Sequence, residues 1–96
     1  MIEIPTPERP MNEPRAVRIK RLAMRSMRRG IKEMDLILSA YADDRLAGMD
    51  EAALDVYDDL LNENDHDLYQ WVTRQTLPKP VYSEMVSDIQ AHISQG

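Results

Sequence analysis

The chain has 96 residues, 43% of them apolar and 30% charged, with a formal net charge of −5. This is ordinary composition for one small globular domain, and a chain this short buries only about 60 to 65% of the surface its unfolded form exposes, which excludes a large cofactor-binding enzyme. The absence of cysteine excludes a disulfide framework, a thiolate nucleophile and cysteine-ligated zinc or iron–sulfur centres.

Pro5, Pro7, Pro10 and Pro14 crowd the first fourteen residues, where none can donate a backbone hydrogen bond and each biases its predecessor away from the helix. The reading is a flexible Pro-rich tail over residues 1–15, followed by a single helical domain over 16–96. The N-terminus has no apolar signal-peptide core, and Glu3, Glu8 and Glu13 break the acid-poor pattern of a transit peptide. No apolar run approaches the roughly 18 to 20 residues that span a bilayer.

From residue 16 onward the apolar residues recur at helical spacing. Ile19, Leu22, Ala23 and Met27 predict one face of a first helix. Ile31, Met34, Ile37, Leu38 and Tyr41 predict a second, ended by Asp43 and Asp44. After Gly48, Asp50 is a candidate N-cap for a third helix that carries Leu54, Tyr57, Leu60 and Leu61 inward and Asp55, Asp58, Asp59 and Glu63 outward. Asn64 and Asp65 are cap candidates for a fourth with Leu68, Trp71 and Val72, and Pro78 and Pro80 bracket a break before a fifth with Tyr82, Met85, Val86, Ile89 and Ile93. No window alternates as a strand does. The predicted fold is all-α, a compact bundle of about five short helices, with several of the seven methionines filling its core.

Charge is divided along the chain. Residues 1–32 hold nine Lys/Arg against three Glu (+6), and residues 33–96 hold three against fourteen acids (−11). Arg15, Arg18, Lys20, Arg21, Arg25, Arg28, Arg29 and Lys32 form a stretch without any acid. Such a stripe either faces an anionic partner or is a solvated helix face neutralised by the acidic remainder of the domain. Its lack of interleaved aromatics argues against nucleic acid, although a small nucleic-acid-binding or antitoxin-like regulator using the basic helix 16–29 is the alternative it supports.

Catalytic ingredients are thin. His66 and His92 lie in different predicted helices and read as surface or capping residues. The acids of the third helix fall opposite Leu54 and Leu61, in water. Asp65-His66-Asp67 fails as a calcium loop because Gln70 stands where glycine is needed and Thr76 where a bidentate Glu is needed. No phosphate-binding glycine loop or nucleophile elbow occurs. The expectation is no enzyme, no catalytic residue, no metal and no stably bound cofactor.

Arg28-Arg29-Gly30-Ile31-Lys32-Glu33 breaks local rules. Gly30 either ends the first helix in the left-handed conformation or permits a close backbone approach. Arg29 and Glu33, four apart, would flank a side-chain-free patch suited to a partner's polar surface.

Arg29-Gly30-Ile31-Lys32-Glu33 resembles the R-G-x-x-E signature of the succinate dehydrogenase flavinylation factors, the FAD assembly factors called SdhE in bacteria. Asp65-His66-Asp67-Leu68-Tyr69-Gln70-Trp71 is similar to that family's D-x-D-L-x-x-W segment, and the resemblance covers about residues 16 to 93. It implies a chaperone-like all-α protein that binds the flavoprotein subunit of succinate dehydrogenase, and of fumarate reductase in similar factors, and promotes covalent attachment of FAD to a histidine of that subunit. FAD would be the client's cofactor. Carried onto this sequence, the partner-binding residues are Arg29, Gly30, Glu33, Asp67 and Trp71, with Trp71 equally suited to core packing. A cytoplasmic protein is expected, monomeric when free, with no nucleic acid and no membrane insertion.

Overall fold

A computed structural model describes residues 13–95, so the expected tail lies outside the described residues for 1–12. Among the described residues five helices carry the domain: α1 (Arg15–Met27), α2 (Lys32–Arg45), α3 (Glu51–Leu60), α4 (Asp65–Val72) and α5 (Ser83–Gln95). No strand occurs among the described residues. Short 3₁₀ turns at Leu46–Gly48 and Pro80–Tyr82 join α2 to α3 and lead into α5. The expected all-α bundle of five short helices is what the chain forms.

The caps follow the local chemistry. Asp50 accepts the Ala53 amide at 2.8 Å, and Asn64 accepts the His66 amide at 2.7 Å, each satisfying a donor that a helix start leaves orphaned. The core gathers Leu22 from α1, Met34, Leu38 and Tyr41 from α2, Leu54, Tyr57 and Leu60 from α3, Leu68 and Trp71 from α4, and Met85, Val86 and Ile89 from α5. Tyr41 and Tyr57 pack at its centre with ring planes tilted by 41° and centroids 5.8 Å apart. Their hydroxyls are satisfied, Tyr41 donating to Asp88 at 2.6 Å and Tyr57 lying 2.6 Å from Ser26. Burial pushes the Tyr57 phenol up to about 12, against the smaller opposing effect of the Ser26 hydrogen bond.

Two expectations about faces are corrected. Met27 is 56% exposed, because the inward face of α1 is instead Arg18, Leu22 and Ser26. Asp58, expected in water, is only 3% exposed. The reason is a seam of ion pairs that the apolar period alone does not reveal. Arg15 donates to Glu51 (2.9 Å), Arg18 to Glu51 (3.0 Å) and Asp55, Arg21 to Asp58 (2.8 Å), and Arg25 to Asp58 (2.6 Å) and Asn62 (2.6 Å). Arg21 also holds Glu13 at 2.9 Å. Partners ascend together on both helices, so α1 and α3 run in the same direction along it. Arginine side chains, rather than close backbone approach, bridge the two.

Magnitudes differ along the seam. The Arg15–Glu51 side chains are 42% and 64% exposed, in the range where an ion pair contributes about 0 to 1 kcal/mol. Asp58 is different. Burial alone would raise its carboxyl, but the hydrogen bond from Arg21 and the charges of Arg21, Arg25 and Arg18 outweigh that and hold it below its ordinary value. A carboxylate depressed in the folded state contributes stability above its unfolded pKa of about 3.9, and that contribution is lost as pH falls through the folded value. Asp58→Asn should lower stability at pH 7 by about 3 kcal/mol, because three guanidinium groups lose their shared counter-charge in a part-buried seam. Urea unfolding of both proteins should show the gap shrinking as pH is taken below about 4. A constant gap down to acid would place the effect in packing.

Candidate functional site

The loop between α1 and α2 carries Arg29 and Gly30. Arg28 closes α1 at φ −117°, ψ 57°, and Ile31 is extended ahead of α2. Arg29 lies along the seam set by the preceding arginines. Its Nε donates to Asp65 Oδ1 at 2.7 Å, Nη1 to the Leu61 carbonyl at 3.0 Å and Nη2 to the Glu63 carbonyl at 3.2 Å. One planar guanidinium fork therefore satisfies carbonyls at the end of α3 and the carboxylate that opens α4, a task a lysine's compact charge cannot reproduce. Its side chain is only 10% exposed. The expected placement of Arg29 beside Glu33 on a shared outer patch is thereby corrected: Arg29 turns toward its own α3–α4 junction.

Gly30 completes the junction. Its amide donates to Asp65 Oδ2, and a Cβ built at this position would stand 3.0 Å from the same oxygen. No glycine among the described residues has positive φ, so the left-handed cap expected as one reading is replaced by the other, a close approach. What approaches is the chain's own carboxylate. Asp65, expected as a cap residue, caps the loop opposite it, while Asn64 caps α4.

Glu33 lies in the first turn of α2, exposed, with no hydrogen bond or ion pair to another described residue. Its carboxylate also suits the positive end of that helix. Asp67 is exposed in the first turn of α4, where it serves the same electrostatic purpose. Trp71 is 6% exposed, with its ring centroid 6.1 Å from that of Tyr82 and its carbonyl accepting from Gln90 at 2.9 Å. The structure thus groups Arg29 and Gly30 around Asp65, leaves Glu33 and Asp67 on the surface and puts Trp71 in the core.

The remaining sequence candidates also find places. His92 lies 2.6 Å from Asp44 and edge-on to Tyr41, tying α5 to α2. Five of the eight residues in the basic stretch, Arg15, Arg18, Arg21, Arg25 and Arg29, face α3 and the start of α4, so most of the stripe is neutralised within the domain. Among the described residues no group of three His, Asp or Glu could hold a metal ion, and no helix is long and apolar enough to cross a membrane.

Comparison with known proteins decides between the surviving readings of this small helical domain. A family model described as flavinator of succinate dehydrogenase matches residues 20–93, spanning α2 to α4 whole, most of α1 and nearly all of α5. The chain belongs to this family. It is 36% identical over 96 residues to succinate dehydrogenase assembly factor 2-A, mitochondrial, of Drosophila willistoni, covering 95% of this chain and 61% of that one. It is 42% identical over 76 residues to succinate dehydrogenase assembly factor 2, mitochondrial, of Saccharomyces cerevisiae, and 49% identical over 61 residues to its counterpart in Candida glabrata. These alignments cover 79% and 64% of this chain and 47% and 40% of the relatives. The chain therefore spans between 40 and 61% of the length of these three relatives.

The relatives' mitochondrial designation overturns the cytoplasmic placement expected from the sequence. That expectation rested on three glutamates near the N-terminus, which say nothing about the folded domain that the family shares. The residues that sequence reasoning missed are Asp65, as the acceptor of Arg29 and Gly30, and Asp58.

This flavinator-family domain should show a split response to substitution at its signature. Arg29→Ala removes three donors from a largely buried junction and should cost about 2 to 3 kcal/mol in urea unfolding, with Arg29→Lys recovering less than half. Glu33→Ala, on the exposed first turn of α2, should stay within about 0.5 kcal/mol of wild type. Equal small losses at both positions would show that Arg29 is not engaged internally.

Proposed function

We propose that this domain is an assembly factor that binds the flavoprotein subunit of succinate dehydrogenase and promotes covalent attachment of FAD to it, with the corresponding subunit of fumarate reductase as a client of the same kind. The observation that carries this reading is the family match over residues 20–93, which contains Arg29-Gly30-Ile31-Lys32-Glu33 intact. The relatives named as succinate dehydrogenase assembly factors support the same class of activity.

The domain acts as a binding protein, not an enzyme. It contributes no acid–base or nucleophilic pair to the bond between flavin and client; the reacting groups belong to those two molecules. We also propose that FAD is held by the client. Support comes from Gly30, whose amide is committed to Asp65 and stands beside that residue's negative charge, an unfavourable cradle for a pyrophosphate. What the domain offers is a rigid surface. Arg29 and Gly30 hold the α1–α2 loop against α4, and that loop sets where α2 starts and where Glu33 projects.

The nucleic-acid alternative gains nothing from the geometry, because Arg18, Arg21 and Arg25 converge on Asp58 instead of facing outward.

Cells lacking their own flavinylation factor and supplied with this chain should regain covalent flavin on the succinate dehydrogenase flavoprotein subunit, read as in-gel fluorescence. The Glu33→Ala variant, at equal protein level, should restore less than a tenth of that signal, the loss expected when a contact worth about 2 kcal/mol in a desolvated interface is removed. Full restoration by Glu33→Ala would remove Glu33 from the client surface. No restoration by the unaltered chain would remove the function.

A further inference from the structure

Glu33 opens onto a groove of about 400 Å³ between α2, α4 and α5. Its apolar lining comes from Leu36, Ile37, Val72 and Ile93, and its charged side chains are Glu33 and Arg74. Leu36 is 65% exposed, a large apolar side chain left in water on an otherwise well-packed helix. Neither Glu33 nor Arg74 makes an ion pair or a side-chain hydrogen bond with another described residue.

Arg74 adds an independent observation. It has φ 66°, the left-handed region that favours glycine, and among the described residues no other non-glycine residue does. The chain is held there by the Gln75 amide, 2.8 Å from the Gln70 carbonyl, and by the Thr76 amide, 3.3 Å from the same oxygen. Glycine would adopt this turn without strain, so the arginine side chain is kept at a conformational cost. Strain retained at an exposed turn beside an apolar groove points to a use for that side chain.

We propose that this groove is where the client docks, receiving a surface segment of the flavoprotein partner that carries a Lys or Arg for Glu33, apolar side chains for the lining and an acidic group for Arg74. The proposal rests on the client-binding reading above and names the surface and the partner's chemistry. Three observations favour it. The groove is apolar with one charge of each sign, a combination that fixes the direction of a docked segment as well as its affinity. It is continuous with the family signature, because Glu33 lines it and the Arg29–Gly30–Asp65 junction sets the start of α2. The exposed face of α1, by contrast, sets Val17 and Met24 among cations alone, Lys20 and Arg28, and gives a partner no such polarity. Arg29 and Gly30 are, on this account, positioning residues, and Glu33, Leu36 and Arg74 touch the client.

Titration calorimetry of the whole chain with purified flavoprotein subunit, free of covalent flavin, tests this. Leu36→Asp and Glu33→Gln should each weaken binding at least tenfold, while both keep a urea midpoint close to that of the unaltered chain. Arg74→Gly should weaken binding at least threefold while its urea midpoint stays equal or rises, because glycine relieves the turn. A merely structural role for Arg74 cannot produce that opposite pair of changes. Met24→Asp, on α1, should bind as the unaltered chain does. If none of the groove variants loses affinity, or if Met24→Asp is the one that does, the groove is overturned and client binding survives. If the unaltered chain does not bind the subunit at all, the client reading falls and takes the groove with it.

Discussion

A buried carboxylate surrounded by three arginines holds this domain in register. Asp58 takes Arg21 and Arg25 directly and has Arg18 at 3.9 Å. Taking these charges out of water is costly, and the cost is met only because each arginine of the seam meets a carboxylate. The outer rungs contribute little energy alone. Their effect is geometric, since a shift of one helical turn between α1 and α3 would leave Asp58 or an arginine buried without its counter-charge. The last rung is Arg29 on Asp65, so the register set at Asp58 is passed along α1 to the loop that starts α2.

This divides the family signature by direction. Arg29 and Gly30 face inward onto a single carboxylate, and Glu33 faces outward onto the groove. On the proposed reading, a short motif containing both kinds of residue would be sensitive to mutation throughout, for two physical reasons. Loss of Arg29 or crowding at Gly30 displaces the loop, and loss of Glu33 removes a contact without moving anything. Client binding would be lost in each case, but only the first would reach the unfolding equilibrium.

Much of the fold was legible because it rests on period. Leu54, Tyr57, Leu60 and Leu61 repeat at helical spacing, and Asp50 and Asn64 stand where helix starts need side-chain acceptors. Met27 fits the same spacing yet faces solvent, because Arg18 and Ser26, which no hydropathy pattern selects, occupy the inward face. Asp58 was misread for the same reason: a carboxylate is assigned to water unless its partners are known. A signal was nevertheless present. Arg15 and Glu51, Arg18 and Asp55, Arg21 and Asp58, Arg25 and Asn62, and Arg29 and Asp65 are separated by 36, 37, 37, 37 and 36 residues. Two series with helical spacing and an offset that stays within one residue describe parallel helices facing each other. Read that way, the charge division between the two parts of the chain predicts the seam. Arg74 had no such signal, since its left-handed turn arises from hydrogen bonds to Gln70 that only the folded chain shows.

Arg29 acts on its own chain through Asp65. The most direct measurement is a double-mutant cycle in urea with Arg29→Ala, Asp65→Ala and the pair. The expected coupling energy is about 1.5 to 2.5 kcal/mol, the range for contacting residues in one charged network. The double variant should be less stable than Arg29→Ala by no more than the Gly30 hydrogen bond that Asp65 also accepts, about 1 kcal/mol. Additive losses, with coupling near zero, would show that Arg29 and Asp65 do not meet in solution, and the inward assignment of the signature would be contradicted.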